Sequence, residues 1–317
     1  MNFPRLLLAT VLAGWLTACA PKPESPRIVL GFSQIGSESA WRLANTESIR
    51  SAAATSNIEL KFSDANQKQE NQIAALRRFI AEKVDVIAFA PVVATGWEPV
   101  LQEAKAAGIP VILTDRAVDA DASLYAGFLG SDFVEEGRKA GRWVVSQFKD
   151  PGQAVNIVQL EGTAGSAPAI DRKKGFEEII GQHPNFRIIR SVPGDFARGS
   201  GEAATAGVLA SEKNRIHVIY AHNDDMALGA IKALEDAGLR PGKDILIVSI
   251  DAVHAAFEAM IAGKLNATVE CNPLMGPQLM TSVTEVVAGR PIPRRLVVDE
   301  AVFTMDNARQ YIQTRKY

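Results

Sequence analysis

The chain has 317 residues, 47% of them apolar, with a formal net charge of −2 and acidic and basic side chains interspersed. A single hydrophobic core stops growing at roughly 250–300 residues, so this length suits two domains with full cores. The charge balance excludes a global basic field for nucleic acid, and no internal stretch reaches the ~20 apolar residues of a membrane span.

Residues 1–20 stand apart. Arg5 is the only charge, and the apolar run Leu6 to Leu16 is too short to cross a bilayer. That is the order of a secretory signal peptide. Ala18-Cys19-Ala20 fits an ordinary cleavage site, but Pro21 would follow the cut bond, where it is poorly tolerated. Leu16-Thr17-Ala18-Cys19 instead resembles a lipobox, with Cys19 lipidated at the mature terminus and Pro21 to Pro26 as a short tether. Ordinary secretion is the alternative.

From residue 27 a short apolar run, a turn and a longer segment of helical period recur. The runs are Ile28–Phe32, Ile58–Phe62, Val84–Phe89, Val111–Leu113, Val155–Leu160, Phe186–Val192, Ile216–Tyr220 and Ile245–Ile250. Near-continuous Val and Ile predict buried parallel strands. Between them, Gln67–Glu82 carries Ile73, Leu76, Phe79 and Ile80 on one face, while Gly96–Ala107 and Asp225–Ala237 are closed by Gly108 and Gly238. Such alternation predicts an α/β chain with helices on both faces of parallel sheets. The repeats fall into two sets, so two doubly wound lobes are expected. The first takes residues 27–129 plus 272–301, the second 130–271 plus 302–317. The tail, a helix over Leu274–Ala288 and then Leu296–Phe303, packs back and crosses again. Crossings near Gly130, Glu270 and Ala301 make a three-segment hinge.

Beyond Cys19 the only cysteine is Cys271, which follows the strand-like Ala267–Glu270. A lone cysteine forms no internal disulfide, and no metal spacing is present, so a buried structural thiol is expected.

In open parallel sheets, ligands bind outside the carboxyl ends of the strands. The residues there are Glu38, Trp41 and Arg42 after the first run, then Asp64, then Asp115-Arg116. In the second set they are Glu161 with Asp171-Arg172, Asp195-Phe196, His222-Asn223-Asp224-Asp225, Asp251 and finally Glu270. Planar polar groups at these edges pair with vicinal hydroxyls in bidentate fashion, and Trp41 and Phe196 offer flat faces to the C–H side of a sugar ring. A few polar anchors among aromatic walls suit a small polar ligand in a cleft. Some of these residues have plainer roles. Asp64 and Asp224 read as helix caps, Trp97 as helix-start packing, and His222 as a hydrogen-bonded strand end. Gly-x-Ser-x-Gly, the P-loop and Gly-x-Gly-x-x-Gly are absent, and no cofactor is expected.

Several stretches carry a resemblance. They include Gly31-Phe32-Ser33-Gln34 through Trp41-Arg42, Lys68-Gln69-Glu70-Asn71-Gln72, and Ala90-Pro91-Val92-Val93-Ala94-Thr95-Gly96-Trp97. Others are Ala169-Ile170-Asp171-Arg172-Lys173-Lys174-Gly175-Phe176 and Tyr220-Ala221-His222-Asn223-Asp224-Asp225-Met226. With these the chain resembles the periplasmic pentose- and hexose-binding proteins of sugar ABC importers, the ribose-binding type, and most of all their galactofuranose-binding branch. The resemblance implies a type I periplasmic binding protein fold, a Venus flytrap that closes on a monosaccharide. It places Asp115, Arg116, Arg172, Asn223, Asp251 and Glu270 on the ligand, with Trp41 and Phe196 stacking and Glu38 and Arg42 beside them. It implies an ABC permease as partner, a monomer, and no catalysis. Ala252 departs from the family's usual Gly, and the lipobox departs from its free periplasmic members.

Three rival functions compete with this one, and the first two share its lobe architecture. The lobe pair of a chemoreceptor or sensor kinase is one. A ligand-responsive repressor would begin with a helix-turn-helix where this chain has an export signal. A glycoside hydrolase would pair two of Asp115, Asp251 and Glu270 as acid and base.

Overall fold

A computed structural model describes residues 27–212, 215–298 and 300–317. Cys19 and the export segment lie outside these. The chain opens with β1 (Ile28–Gln34), α1 (Ala40–Thr55), β2 (Ile58–Asp64), α2 (Gln69–Ala81), β3 (Val86–Phe89), α3 (Glu98–Ala106), β4 (Val111–Thr114) and β5 (Gly127–Gly130). There follow α4 (Phe133–Gln147), β6 (Val155–Glu161), α5 (Ala167–Ile180), β7 (Phe186–Pro193), α6 (Arg198–Glu212), β8 (Val218–Ala221), α7 (Asp224–Asp236), β9 (Leu246–Asp251), α8 (His254–Ile261) and β10 (Ala267–Glu270). The chain ends with α9 (Gly276–Val287), β11 (Arg295–Val297), β12 (Val302–Thr304) and α10 (Ala308–Tyr311).

These strands form two six-stranded sheets, ordered β11-β5-β4-β3-β1-β2 and β12-β10-β9-β8-β6-β7. Every pairing is parallel except β10 with β12. The central strands are buried on both faces, as Val86-Ile87-Ala88-Phe89 and Val218-Ile219-Tyr220-Ala221 illustrate. The edge strand β2 is less buried: Ile58 is buried, Glu59 and Asp64 are exposed, and the four residues between are half-buried. Strand order reverses beside β1 and again beside β6, and each reversal opens a crevice at the carboxyl edge. The expectation of two doubly wound parallel lobes therefore holds. The chain passes between the sheets after β5, after β10 and between β11 and β12.

Two local expectations are corrected. Leu296–Phe303 is not one run, because it divides into β11 of one sheet and antiparallel β12 of the other. Strand β5 is an addition, a four-residue segment bounded by glycines.

Candidate functional site

The carboxyl edges of the two sheets face each other across a narrow cavity lined by both lobes. Glu38, Ser39, Trp41 and Arg42 enter it from the start of α1, and Asp115 and Arg116 from the end of β4. The second lobe contributes Pro168 and Arg172 from α5, Phe196 after β7, Asn223 before α7, Asp251 ending β9 and Cys271 after β10. The lobes touch across the cleft: Ala94 N donates to Gly165 O at 2.9 Å, and Ala40 N to Asp225 Oδ2 at 2.8 Å. The second contact sets a carboxylate from one lobe on the amino terminus of a helix in the other, where the helix dipole favours it.

On the first lobe, Ser39 caps α1 by accepting from Arg42 N. That cap turns Arg42 inward. Its guanidinium donates to Glu38 Oε1 (3.1 Å), Gln34 Oε1 (3.2 Å) and Asp115 Oδ2 (2.6 Å), and lies over the Trp41 ring. Trp41 Nε1 donates to Cys271 O at 2.7 Å, which fixes the indole. Arg116 donates through NH1 to Val92 O, while its Nε has no hydrogen-bond acceptor among the described residues, Asp115 Oδ2 lying 3.8 Å away. Glu38 Oε2 likewise has no donor. An unpaired buried donor and an unpaired buried acceptor on one cavity wall are costly unless a ligand completes them.

On the second lobe, Arg172 is placed by close helix packing. A Cβ on Gly175, one turn further along α5, would meet Val134 O at 1.9 Å, so only glycine lets α5 lie this near α4. Arg172 then donates through Nε to Glu136 Oε2 (2.7 Å) and NH1 to His222 O (2.6 Å), with NH2 3.7 Å from Asp251 Oδ1. Phe196 rests on Gly162, where a Cβ would stand 1.9 Å from its ring, and it faces Arg116 and Arg172. Asn223 is the N-cap of α7 through Met226 N, and its amide donates to Phe196 O, so part of its capacity goes to holding the wall.

Backbone strain concentrates here. Asp115 (φ 60°), Phe196 (φ 61°), Asp251 (φ 132°) and Ala252 (φ 62°) all adopt the left-handed half of conformational space without being glycine. Ala252 keeps the tight turn that glycine would ease, with its N–H held by Thr268 Oγ1 at 3.1 Å.

Burial sets the electrostatics. It pushes the Asp251 carboxyl well above its ordinary range; Arg172 opposes this, and Asp224, Glu136 and Asp225 add to it. Burial also pulls Arg116 down to about 10, with Arg42 adding and Asp115 and Glu38 opposing, so it stays cationic at neutral pH. The walls offer hydrogen-bond donors and acceptors in near balance, which suits a neutral polyol.

Nine of the ten residues singled out for the ligand meet at this cavity: Glu38, Trp41, Arg42, Asp115, Arg116, Arg172, Phe196, Asn223 and Asp251. Glu270 does not. Its carboxylate takes Arg315 NH1 at 2.6 Å and Ala301 N at 3.3 Å, tying down the C-terminal tail. Successive side chains along a strand point to opposite sides, and it is Cys271, one residue on, that faces the cavity. Two capping expectations are also corrected. Lys68, not Asp64, precedes α2, and Asp64 closes a local turn on Asn66 N. Asp224 lies inside α7, where it accepts from Ser249 Oγ, Thr268 Oγ1 and Val253 N and joins β9 to β10; burial pushes its carboxyl up to about 7. Ser39, Pro168 and Cys271 joined the lining without a sequence signal; only Cys271 had drawn notice, as a buried thiol. A larger, shallower recess between α1 and α9 gathers no comparable set of charges.

The family described as the periplasmic binding protein domain matches residues 30–291. Over 316 residues the chain is 44% identical to the galactofuranose-binding protein YtfQ of Escherichia coli (strain K12), spanning 98% of both chains. A Mycobacterium smegmatis protein solved in complex with β-D-fucofuranose superposes with a TM-score of 0.90 at 54% identity, over 92% of this chain and 95% of that one. The binding protein of the arabinose ABC transporter of Shewanella sp. ANA-3, bound to α- and β-L-arabinofuranose, gives 0.87 at 44% identity, over 91% and 95%. The fold is shared with these solved structures, and this chain belongs to the periplasmic binding protein domain family.

Proposed function

We propose that the chain is the solute-binding component of a sugar ABC importer and takes one monosaccharide as a furanose, galactofuranose foremost, between its lobes. The observation that carries this is the pair of groups without hydrogen-bond partners, Arg116 Nε and Glu38 Oε2, on residues that line the cavity together with Trp41 and Phe196. A sugar hydroxyl both accepts from the first and donates to the second. The relatives bound to furanoses support the ring form.

The cycle is hinge closure. Sugar meets one lobe of the open form, and closure brings the second lobe's Arg172, Asn223 and Asp251 onto it. Only contacts made better in the closed state shift the balance toward it. The closed face then docks on a membrane permease. The protein works as a monomer in the periplasm, tethered through Cys19. No bond of the sugar is broken, and mass spectrometry after long incubation recovers it unchanged.

A thermal-shift panel of aldoses tests the proposal, with L-arabinose, D-galactose and D-fucose included. At a hundredfold excess over Kd a ligand adds about 2.7 kcal/mol, enough to raise Tm by several degrees. Asp115→Asn abolishes the shift, because Asn keeps the backbone turn but cannot accept with two charged oxygens. A panel in which no sugar moves Tm refutes the carrier.

A further inference from the structure

Each crossing between the lobes places one residue in a single buried knot. Ser131 follows β5, Cys271 follows β10, and Glu300 lies between β11 and β12. Ser131 Oγ donates to Glu300 Oε1 at 2.5 Å and sits 3.4 Å from Cys271 Sγ, and Asn272 N reaches the same Glu300 oxygen at 3.2 Å. Glu136, from the first turn of α4, projects into the knot. One oxygen each of Glu136 and Glu300 and the sulfur of Cys271 lie within 4.8 Å of one another. Glu136 is 1% exposed and Glu300 6%. Glu136 Oε2 holds Arg172, while its Oε1 has no hydrogen-bond donor among the described residues other than a proton on Glu300 or the Cys271 thiol beside it.

We propose that Glu136 and Glu300 share one proton, and that this hinge proton is taken up as the lobes close on sugar, so that affinity depends on pH through residues that do not touch the ligand. The inference rests on the carrier function only for its ligand. Glu136 is already paired with Arg172, so an ionised Glu300 beside it sets a negative charge in excess in this buried corner. A proton on the Glu300 carboxyl removes that excess and gives Glu136 Oε1 its missing donor. A proton suits the knot better than a metal ion, because Arg172 is already seated on Glu136, and burial together with the two carboxylates holds the Cys271 thiol protonated.

The surrounding groups agree. Burial and Glu136 push the Glu300 carboxyl up to about 10, with Ser131 and Asn272 opposing. Glu136 is raised by burial, with Arg172 opposing. From α4, Lys139 donates to Glu300 O. From β8, Tyr220 donates to Arg172 O at 3.3 Å, and from β9, Asp251 faces the same guanidinium. On the outer side, Glu300 also lines a surface recess with Asp132, Glu135 and Lys139. Arg172 links the knot to the cavity, being both Glu136's partner and a wall of the sugar site.

The sign follows from linkage. In the open form the three hinge segments twist and water reaches the pair, so its affinity for the proton falls toward that of an ordinary carboxyl, about 4.3. Closure raises it. The advantage of the closed form is complete below the open-form value and is lost as pH climbs through the closed-form one. Sugar binding near neutral pH therefore takes up a proton, and affinity declines as the solution becomes alkaline.

Calorimetric titration of the full chain with L-arabinose at pH 7.5, in phosphate and in Tris, reads the proton directly. The expected result is a binding heat that differs between the buffers by the uptake of a large fraction of a proton, and a Kd that weakens at least tenfold from pH 7 to pH 9. Glu300→Gln, a neutral isostere that needs no proton, binds at least tenfold tighter than the parent at pH 7, with equal heats in both buffers and a flat pH profile. Equal heats for the parent chain overturn the proposal without any variant. Undiminished uptake in Glu300→Gln assigns the proton to Asp251 and also overturns it. If no sugar gives heat, the carrier function falls but the pair is still judged by melting: the Tm advantage of Glu300→Gln over the parent grows steadily from pH 5 to pH 8, and parallel curves refute the shared proton.

Discussion

Asp225 touches no part of the cavity, yet its removal is expected to weaken sugar binding by 10- to 100-fold. Its Oδ2 accepts from Ala40 N across the cleft at 2.8 Å, and its Oδ1 is held by Arg198 of its own lobe at 3.0 Å. The Arg198 bond is internal to the second lobe and survives opening, so it does not count toward closure. The Ala40 contact is lost on opening. A hydrogen bond to a charged group contributes about 1.5–3 kcal/mol, and the dipole of α1 acts in the same direction. Each 1.4 kcal/mol is tenfold in affinity. When the unliganded chain is mostly open, the whole of that loss appears in the measured Kd, because the competent fraction shrinks by the same factor. Asp225→Ala titrated against L-arabinose by calorimetry, with small-angle scattering to establish the open unliganded form, checks the reasoning. A Kd within twofold of the parent, from a chain shown to be open without sugar, refutes it.

Other substitutions probe separate features. Gly162→Ala drives a methyl into the Phe196 ring, whose way out is the cavity, so affinity drops more than tenfold while folding loses about 1–3 kcal/mol; unchanged calorimetric affinity would contradict this. Ala252→Gly relieves a left-handed residue worth about 1–2 kcal/mol, offset by about 0.5–1 kcal/mol of glycine entropy. Its Tm therefore stays level or rises by a few degrees, and a clear fall would show that the turn is not strained. Glu270→Gln lowers Tm by loosening the Arg315 tie but leaves sugar affinity within twofold; a tenfold loss would return Glu270 to the ligand.

The strands were legible where burial was two-sided, since Val84–Phe89 or Val155–Leu160 can be little else than buried parallel strands. Strand β5 was not, because Gly127-Phe128-Leu129-Gly130 is too short and too glycine-flanked to rise above a turn. Looking past each strand's carboxyl end led to Asp115, Arg116, Asn223 and Asp251, since topology dictates where that edge lies. It misplaced Glu270, because one residue of register decides whether a side chain faces the crevice or the tail. Glu136 was invisible: in sequence it is one acid among several at the start of a helix, and its partner Arg172 is 36 positions away. Asp224 looked like a cap by position, but Asn223 before it already filled that place.

Strand β11 has a consequence for how the molecule is made. It closes the first sheet against β5, yet it lies at Arg295–Val297, after the whole second lobe has been spelled out. Until those residues emerge, β5 presents an open edge, and an unpaired edge invites the wrong neighbour. The first sheet is therefore finished only when almost the full polypeptide has been made, and a nascent chain stalled short of residue 295 is expected to carry one more exposed edge than the complete protein.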